Sequence, residues 1–156
     1  MDGNFENLAE SVLEKAKDRL KKPGYALLEA ELKTKNVFKG FKRTKSDLET
    51  LLTCAICVLE FTPKGKRAKR MLCCSNVRFV NVFKSAKKKD AKKALTSPYT
   101  GMKTKDPMTV MTYDLVEGKI KTIPILPNTW YVPHAWMFSV ETVPAIAPLV
   151  KECLNA

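Results

Sequence analysis

The chain has 156 residues, 45% of them hydrophobic, and a formal net charge of +12. That length fits one domain able to bury a core without metal or disulfide staples, and the apolar fraction excludes wholesale disorder. The excess of positive charge points to an anionic partner: nucleic acid, an acidic membrane face or a polyanionic protein.

Residues 3–21 predict a helix. Phe5, Leu8, Val12, Ala16 and Leu20 recur at helical spacing, Glu6, Glu10 and Glu14 line another face, and Pro23-Gly24 ends it. In "YALLEAELKTKNVF", Leu28, Ala30 and Leu32 alternate with Glu29, Glu31 and Lys33, the pattern of a half-buried strand, although propensity favours a helix there. Ser46 with Glu49 forms a capping box ahead of a helix whose apolar positions run from Leu48 through Leu51, Leu52 and Ala55 to Leu59. Pro63 and Gly65 break it. "MLCCSNVRFVNVF" is rich in apolar and β-branched residues and predicts a strand, with a possible turn at Ser75-Asn76. "SAKKKDAKKAL" reads as a short basic helix or a loop. "MTVMTYDL" and "KIKTIPIL" flank Glu117-Gly118 as a hairpin. "PNTWYVPHAWMF" reads as an aromatic, Pro-interrupted cover over the sheet. The last apolar segment predicts a helix with Ser139 or Thr142 as cap, Pro144 in its first turn and a kink at Pro148. The expected fold class is therefore α+β. Residues 1–24 would be an N-terminal amphipathic helix, and 25–156 one globular domain, a small, mainly antiparallel sheet with packed helices.

The longest apolar runs are a few residues, against about 20 needed to cross a bilayer. No segment has the pattern of a signal peptide, and Asp2 stands where myristoylation needs Gly. Five cysteines, an odd number, then fit reduced thiols in a cytosolic or nuclear setting. Cys54-x-x-Cys57 followed by Cys73-Cys74 has roughly zinc-ribbon spacing. Two features count against zinc. Adjacent cysteines diverge, and the first pair lies in "LLTCAICVL", without the Gly or polar residues of a metal turn. The alternative is that these thiols are small buried hydrophobes. The single histidine, His134, has no marked acid or oxyanion turn beside it, and no Gly-rich phosphate loop occurs. Neither a metal, a cofactor nor an enzymatic activity is expected.

Charge is strongly segregated. Residues 62–93 carry twelve Lys or Arg and one acidic residue, Asp90. Lys64, Lys66, Arg67, Lys69 and Arg70 form a first cluster. Lys84, Lys87, Lys88, Lys89, Lys92 and Lys93 form a second. Like charges repel, so a patch this one-sided costs stability unless something binds it. The aromatics inside it, Phe79 and Phe83, read as core, so the surface suits phosphates or headgroups and not base edges. "KGKRAKR" also has the composition of a nuclear localisation signal.

The order of these features resembles the globular core of rhabdovirus matrix proteins over residues 28–120. The stretches that carry it are "KTKNVFKGFKRT", "KSDLETLLTCAI", "PKGKRAKR", "MLCCSNV" and "MTVMTYDL". The resemblance implies a non-enzymatic structural protein of virion, host cytoplasm and membrane, with possible entry to the nucleus. Its partners would be an anionic membrane surface, the viral nucleocapsid or RNA, and further copies of itself as a homo-oligomer. The family's basic loop would correspond to Lys64, Lys66, Arg67, Lys69 and Arg70. The chain departs from animal-virus members in having an acidic N-terminal helix and no P-P-x-Y motif. It is closer to a plant-virus member, with Phe5, Leu8 and Val12 as the expected self-association face. The alternative function is sequence-independent RNA binding, as in a silencing suppressor or a movement-type protein.

Overall fold

The computed structural model describes residues 7–33, 44–63, 65–84, 88–96, 100–125, 130–138 and 142–155, with Lys88, Ala91 and Asn155 described by their backbone. The described residues form α1 (Leu8–Lys17), α2 (Lys22–Lys33), α3 (Lys45–Cys54), β1 (Ile56–Phe61), β2 (Lys69–Cys74), α4 (Val77–Lys84), α5 (Lys88–Ala94), β3 (Thr109–Asp114), β4 (Lys119–Pro124), β5 (Trp130–Trp136) and α6 (Val143–Asn155). The strands make one sheet in the order β4-β3-β2-β1-β5, and every neighbouring pair is antiparallel. This is the expected α+β architecture.

Side chains alternate across a strand, so β1 and β2 feed two cores. Ile56, Val58, Leu72 and Cys74 face a layer built from α1, α2, α4 and α6. Cys57, Leu59, Met71 and Cys73 face α3 through Leu48, Leu51 and Leu52. A strand covered on both faces needs apolar residues at every position. The run Ile56–Leu59 meets that need, and all four residues are buried.

That double burial corrects the predicted helix from Ser46 to Leu59. The helix stops at Cys54, and Ala55 turns extended with φ −142 and ψ 158. Its N-cap is Thr44, whose hydroxyl accepts from Asp47 N–H at 3.1 Å, so Ser46 is not the cap. Residues 25–33 are helical, not a strand. Leu28 and Leu32 are both buried one turn apart, and Glu29 pairs with Lys33 at 3.4 Å. Pro23 sits in the first turn of α2, where its missing N–H costs nothing. In 71–83 the strand ends at Cys74 and α4 follows. Arg78, Asn81 and Lys84 recur every third residue around a buried face of Phe79, Val80, Val82 and Phe83. "TWYVPHAW" is not a cover but the edge strand β5, and Pro133 falls in a bulge opposite Leu59, where no ladder N–H is needed.

The exit of β2 is a polar junction that closes α3. Leu51 O accepts from Ala55 N–H (3.0 Å), Leu52 O from Ser75 N–H (2.9 Å) and Thr53 O from Asn76 Nδ2 (2.9 Å). The carbonyls of Leu52 and Thr53, which have no partner within the helix, are thereby capped by the β2–α4 connection. Gly101 packs against it. A Cβ built there would lie 2.2 Å from Thr53 Oγ1. Gly101→Ala is expected to cost about 1–3 kcal/mol, as overpacking does. Thr53→Ala in the same chain should recover most of that loss in urea denaturation. Equal midpoints for the single and double variants would refute the clash.

Candidate anion-binding surface

The first basic cluster lies at the turn of the β1–β2 hairpin. The ladder runs from Cys57↔Cys73 out to Phe61↔Lys69. Gly65 holds φ +73, a conformation that only Gly adopts readily, and Lys66 N–H closes the turn on Pro63 O at 3.0 Å. On the β3 side the ladder is confined to Cys73↔Asp114 and Cys74↔Tyr113, with one further bond from Leu115 N–H to Leu72 O (2.9 Å). The outer part of the hairpin therefore runs past β3. Lys66, Arg67 and Lys69 are exposed there. Arg70 is half-buried, and its Nε donates to Glu60 Oε2 at 3.2 Å.

The second cluster follows the other end of β2. Lys84 ends α4, is exposed, and holds its Nζ 5.2 Å from the centre of the Tyr113 ring, a cation–π contact. α5 docks through buried Ala94 and half-buried Leu95, leaving Lys89, Lys92 and Lys93 exposed. Lys64, Lys87 and the side chain of Lys88 lie outside the described residues. Among the described residues of the two clusters, Arg70 alone has a carboxylate within ion-pair distance. What reads as one basic stretch in the sequence is thus carried as two lobes, one entering β2 at Lys69 and one after its exit at Cys74.

A residue far along the chain joins the first lobe. Tyr131 on β5 pairs with Glu60, which pairs with Arg70, so the three lie in one row on one face of the sheet. Tyr131 is 52% exposed. Inspection of 62–93 could not find it, because it arrives through β1–β5 pairing. The usable signal was the "WY" pair, since neighbours in a strand face opposite sides.

The cysteines divide between the cores. Cys57 and Cys73 are directly opposite beneath α3, whereas Cys74 points to the other face of the sheet. Burial pushes the Cys57 and Cys73 thiols far up and the Cys74 thiol up to about 12. At neutral pH they are protonated, and the thiolate is the form that binds metal or attacks. Among the described residues, no three His, Cys, Asp or Glu side chains converge as metal ligands would. His134 stacks on Trp136 with ring centres 5.7 Å apart and planes 6° from parallel.

Phe5 lies outside the described residues. Leu8 is half-buried, and Val12, at 1% exposure, is part of the chain's own core. The Leu8–Val12 face of α1 packs inward against the α6 layer, so Val12 offers no surface to a second copy. Among the described residues no helix is long and apolar enough to cross a membrane. No protein-family model, no curated protein and no solved structure matches the chain.

Proposed function

We propose that the protein is a non-enzymatic, matrix-type viral structural protein. It attaches peripherally to anionic membrane and to nucleocapsid through its two basic lobes and self-associates during virion assembly. The observation that carries the anion-binding part is the outward display of Lys66, Arg67, Lys69, Lys84, Lys89, Lys92 and Lys93 on elements whose apolar sides are buried. With one acidic residue across 62–93, the surface has almost no carboxylates of its own to balance these charges. The viral assignment rests on the resemblance over residues 28–120. Along those residues the chain has a helix at Lys45–Cys54, a turn at Gly65 and a strand ending at Cys74, and a helix where a strand is expected as the first element.

Each exposed Lys or Arg near an anionic bilayer contributes about 1 kcal/mol. Lys66→Ala with Arg67→Ala should therefore weaken binding to phosphatidylserine-containing vesicles by about 2 kcal/mol, roughly thirtyfold. Raising the salt should weaken it further, since exposed charges are screened. Flotation with anionic vesicles at two salt concentrations, beside duplex RNA binding at the same salts, tests the reading. Vesicle binding at low salt that fades with salt supports it. Tight duplex RNA binding with no vesicle binding would replace it by the sequence-independent RNA-binding function.

A further inference from the structure

We infer that the turn end of the β1–β2 hairpin is a subsite for single-stranded nucleic acid, in which Tyr131 stacks a base and the hairpin cations hold the neighbouring phosphates. This rests on the anion-binding reading above and adds to the hairpin lobe, whose Lys66 and Arg67 also serve vesicle binding there, a site that only a single strand can fill.

A β-bulge places the aromatic. From Ile56↔Trp136 to Val58↔His134 the β1–β5 register is regular. Between Val58 and Glu60 it shifts by one residue, so that Glu60 meets Tyr131 and Phe61 meets Trp130. In the unshifted register Tyr131 would pair with Phe61 and face α3. A one-residue slip exchanges the two faces of a strand, and bulges re-aim side chains in this way. Here the shift sends Trp130 inward at 7% exposure and turns Tyr131 onto the face of Arg70. The strand gains a buried anchor and a free phenol ring beside the basic turn.

The neighbours of the ring select the partner. Two strand spacings, about 10 Å, separate the backbones of Arg70 and Tyr131, with Glu60 between them. Glu60 holds the Arg70 guanidinium at 3.2 Å, on the strand next to the ring. Lys66, Arg67 and Lys69 are exposed at the same end of the sheet. The Arg70 pairing leaves Glu60 less able to repel a phosphate, and an exposed aromatic at the margin of a positively charged surface is the arrangement that binds single strands with little sequence preference. A duplex keeps its base faces stacked and has none to offer the ring. A bilayer is disfavoured, because sinking Tyr131 into it would desolvate the partly exposed Glu60 carboxylate.

The test measures binding of full-length protein to a short fluorescent oligouridylate and to an abasic oligomer of equal length, at one low salt. Tyr131→Ala should weaken the oligouridylate about five- to a hundredfold and leave the abasic oligomer and anionic vesicles unchanged. Tyr131→Phe should bind like the parent. Lys66→Ala with Arg67→Ala should weaken both oligomers together. If Tyr131→Ala leaves oligouridylate binding unchanged while the charge variant weakens it, stacking is overturned and anion binding stands. Loss of vesicle binding in Tyr131→Ala would overturn the subsite in favour of a membrane contact. If the parent binds neither oligomer nor vesicles, the anion-binding reading falls as well.

Discussion

Asn76→Ala lowers the unfolding free energy by about 2–5 kcal/mol, the sum of a lost helix cap, which strands Phe79 N–H, and one further stranded group, Thr53 O. Asn76 is fully buried. Its Oδ1 accepts from Phe79 N–H at 3.2 Å, which caps α4, and its Nδ2 donates to Thr53 O at 2.9 Å, which closes α3. Alanine leaves both backbone groups in a dry junction with no replacement. Water cannot easily enter, because Ser75 beside it is also fully buried and commits its Oγ to Met111 O (2.8 Å) and its carbonyl to Met102 N–H (2.8 Å). Asn76→Ser keeps a capping oxygen for Phe79 N–H and loses the reach to Thr53 O, so its cost should fall between Ala and the parent. Urea denaturation of the three proteins measures the order. A loss under 1 kcal/mol for Asn76→Ala would show that the junction relaxes or is wetter than its geometry indicates.

A second large effect is expected in alkali. Burial raises the thiol pKa of Cys57, Cys73 and Cys74 in the folded chain, whereas the unfolded chain exposes them with an ordinary value near 9. Below that value both states hold the proton and stability is flat. Above it the unfolded chain loses protons that the folded chain keeps, so stability falls as pH rises, until the folded thiols ionise in their turn. Each thiol contributes about 1.4 kcal/mol per pH unit in that window. At pH 10.5 the three together should remove roughly 6 kcal/mol, comparable with the whole stability of a small domain. Lysine titration also changes in this range, so the informative quantity is a difference. Cys73→Ala, compared with the parent in reducing buffer from pH 8 to 10.5, should lose about 2 kcal/mol less over that range. Identical slopes would mean that Cys73 reaches solvent in the folded state.

These thiols illustrate how a motif can mislead. Cys-x-x-Cys and Cys-Cys invite a metal reading because spacing along the chain is all that a sequence offers. The alternation of β2 parts the adjacent pair, sending Cys73 under α3 and Cys74 to the opposite layer. Ile56–Leu59 reads as the end of a helix because it is apolar at every position, and such a run has no periodicity to tell strand from helix. In 77–84 the threefold recurrence of Arg78, Asn81 and Lys84 carried a helical signal, which the β-branched and aromatic residues between them obscured. The β3–β4 hairpin was legible because Gly118 marks its turn. Asp114 completes that turn, accepting from Val116 N–H (2.8 Å) and Glu117 N–H (3.0 Å).

Sequence alone determined the fold class, the hairpin around Gly118, the helical character of Leu48–Leu52 and the concentration of positive charge in 62–93. Each of these is local, set by composition, turn chemistry or the spacing of neighbours. Tertiary structure decided the rest. It divided the charge into two lobes, because β2 separates the residues before Lys69 from those after Cys74. It enclosed Val12 and the thiols, because burial depends on what packs opposite. It brought Tyr131 beside Arg70, because strand pairing and a one-residue bulge join segments about sixty residues apart in the chain. No local pattern encodes such a meeting, and the proposed choice of partner at the hairpin depends on it.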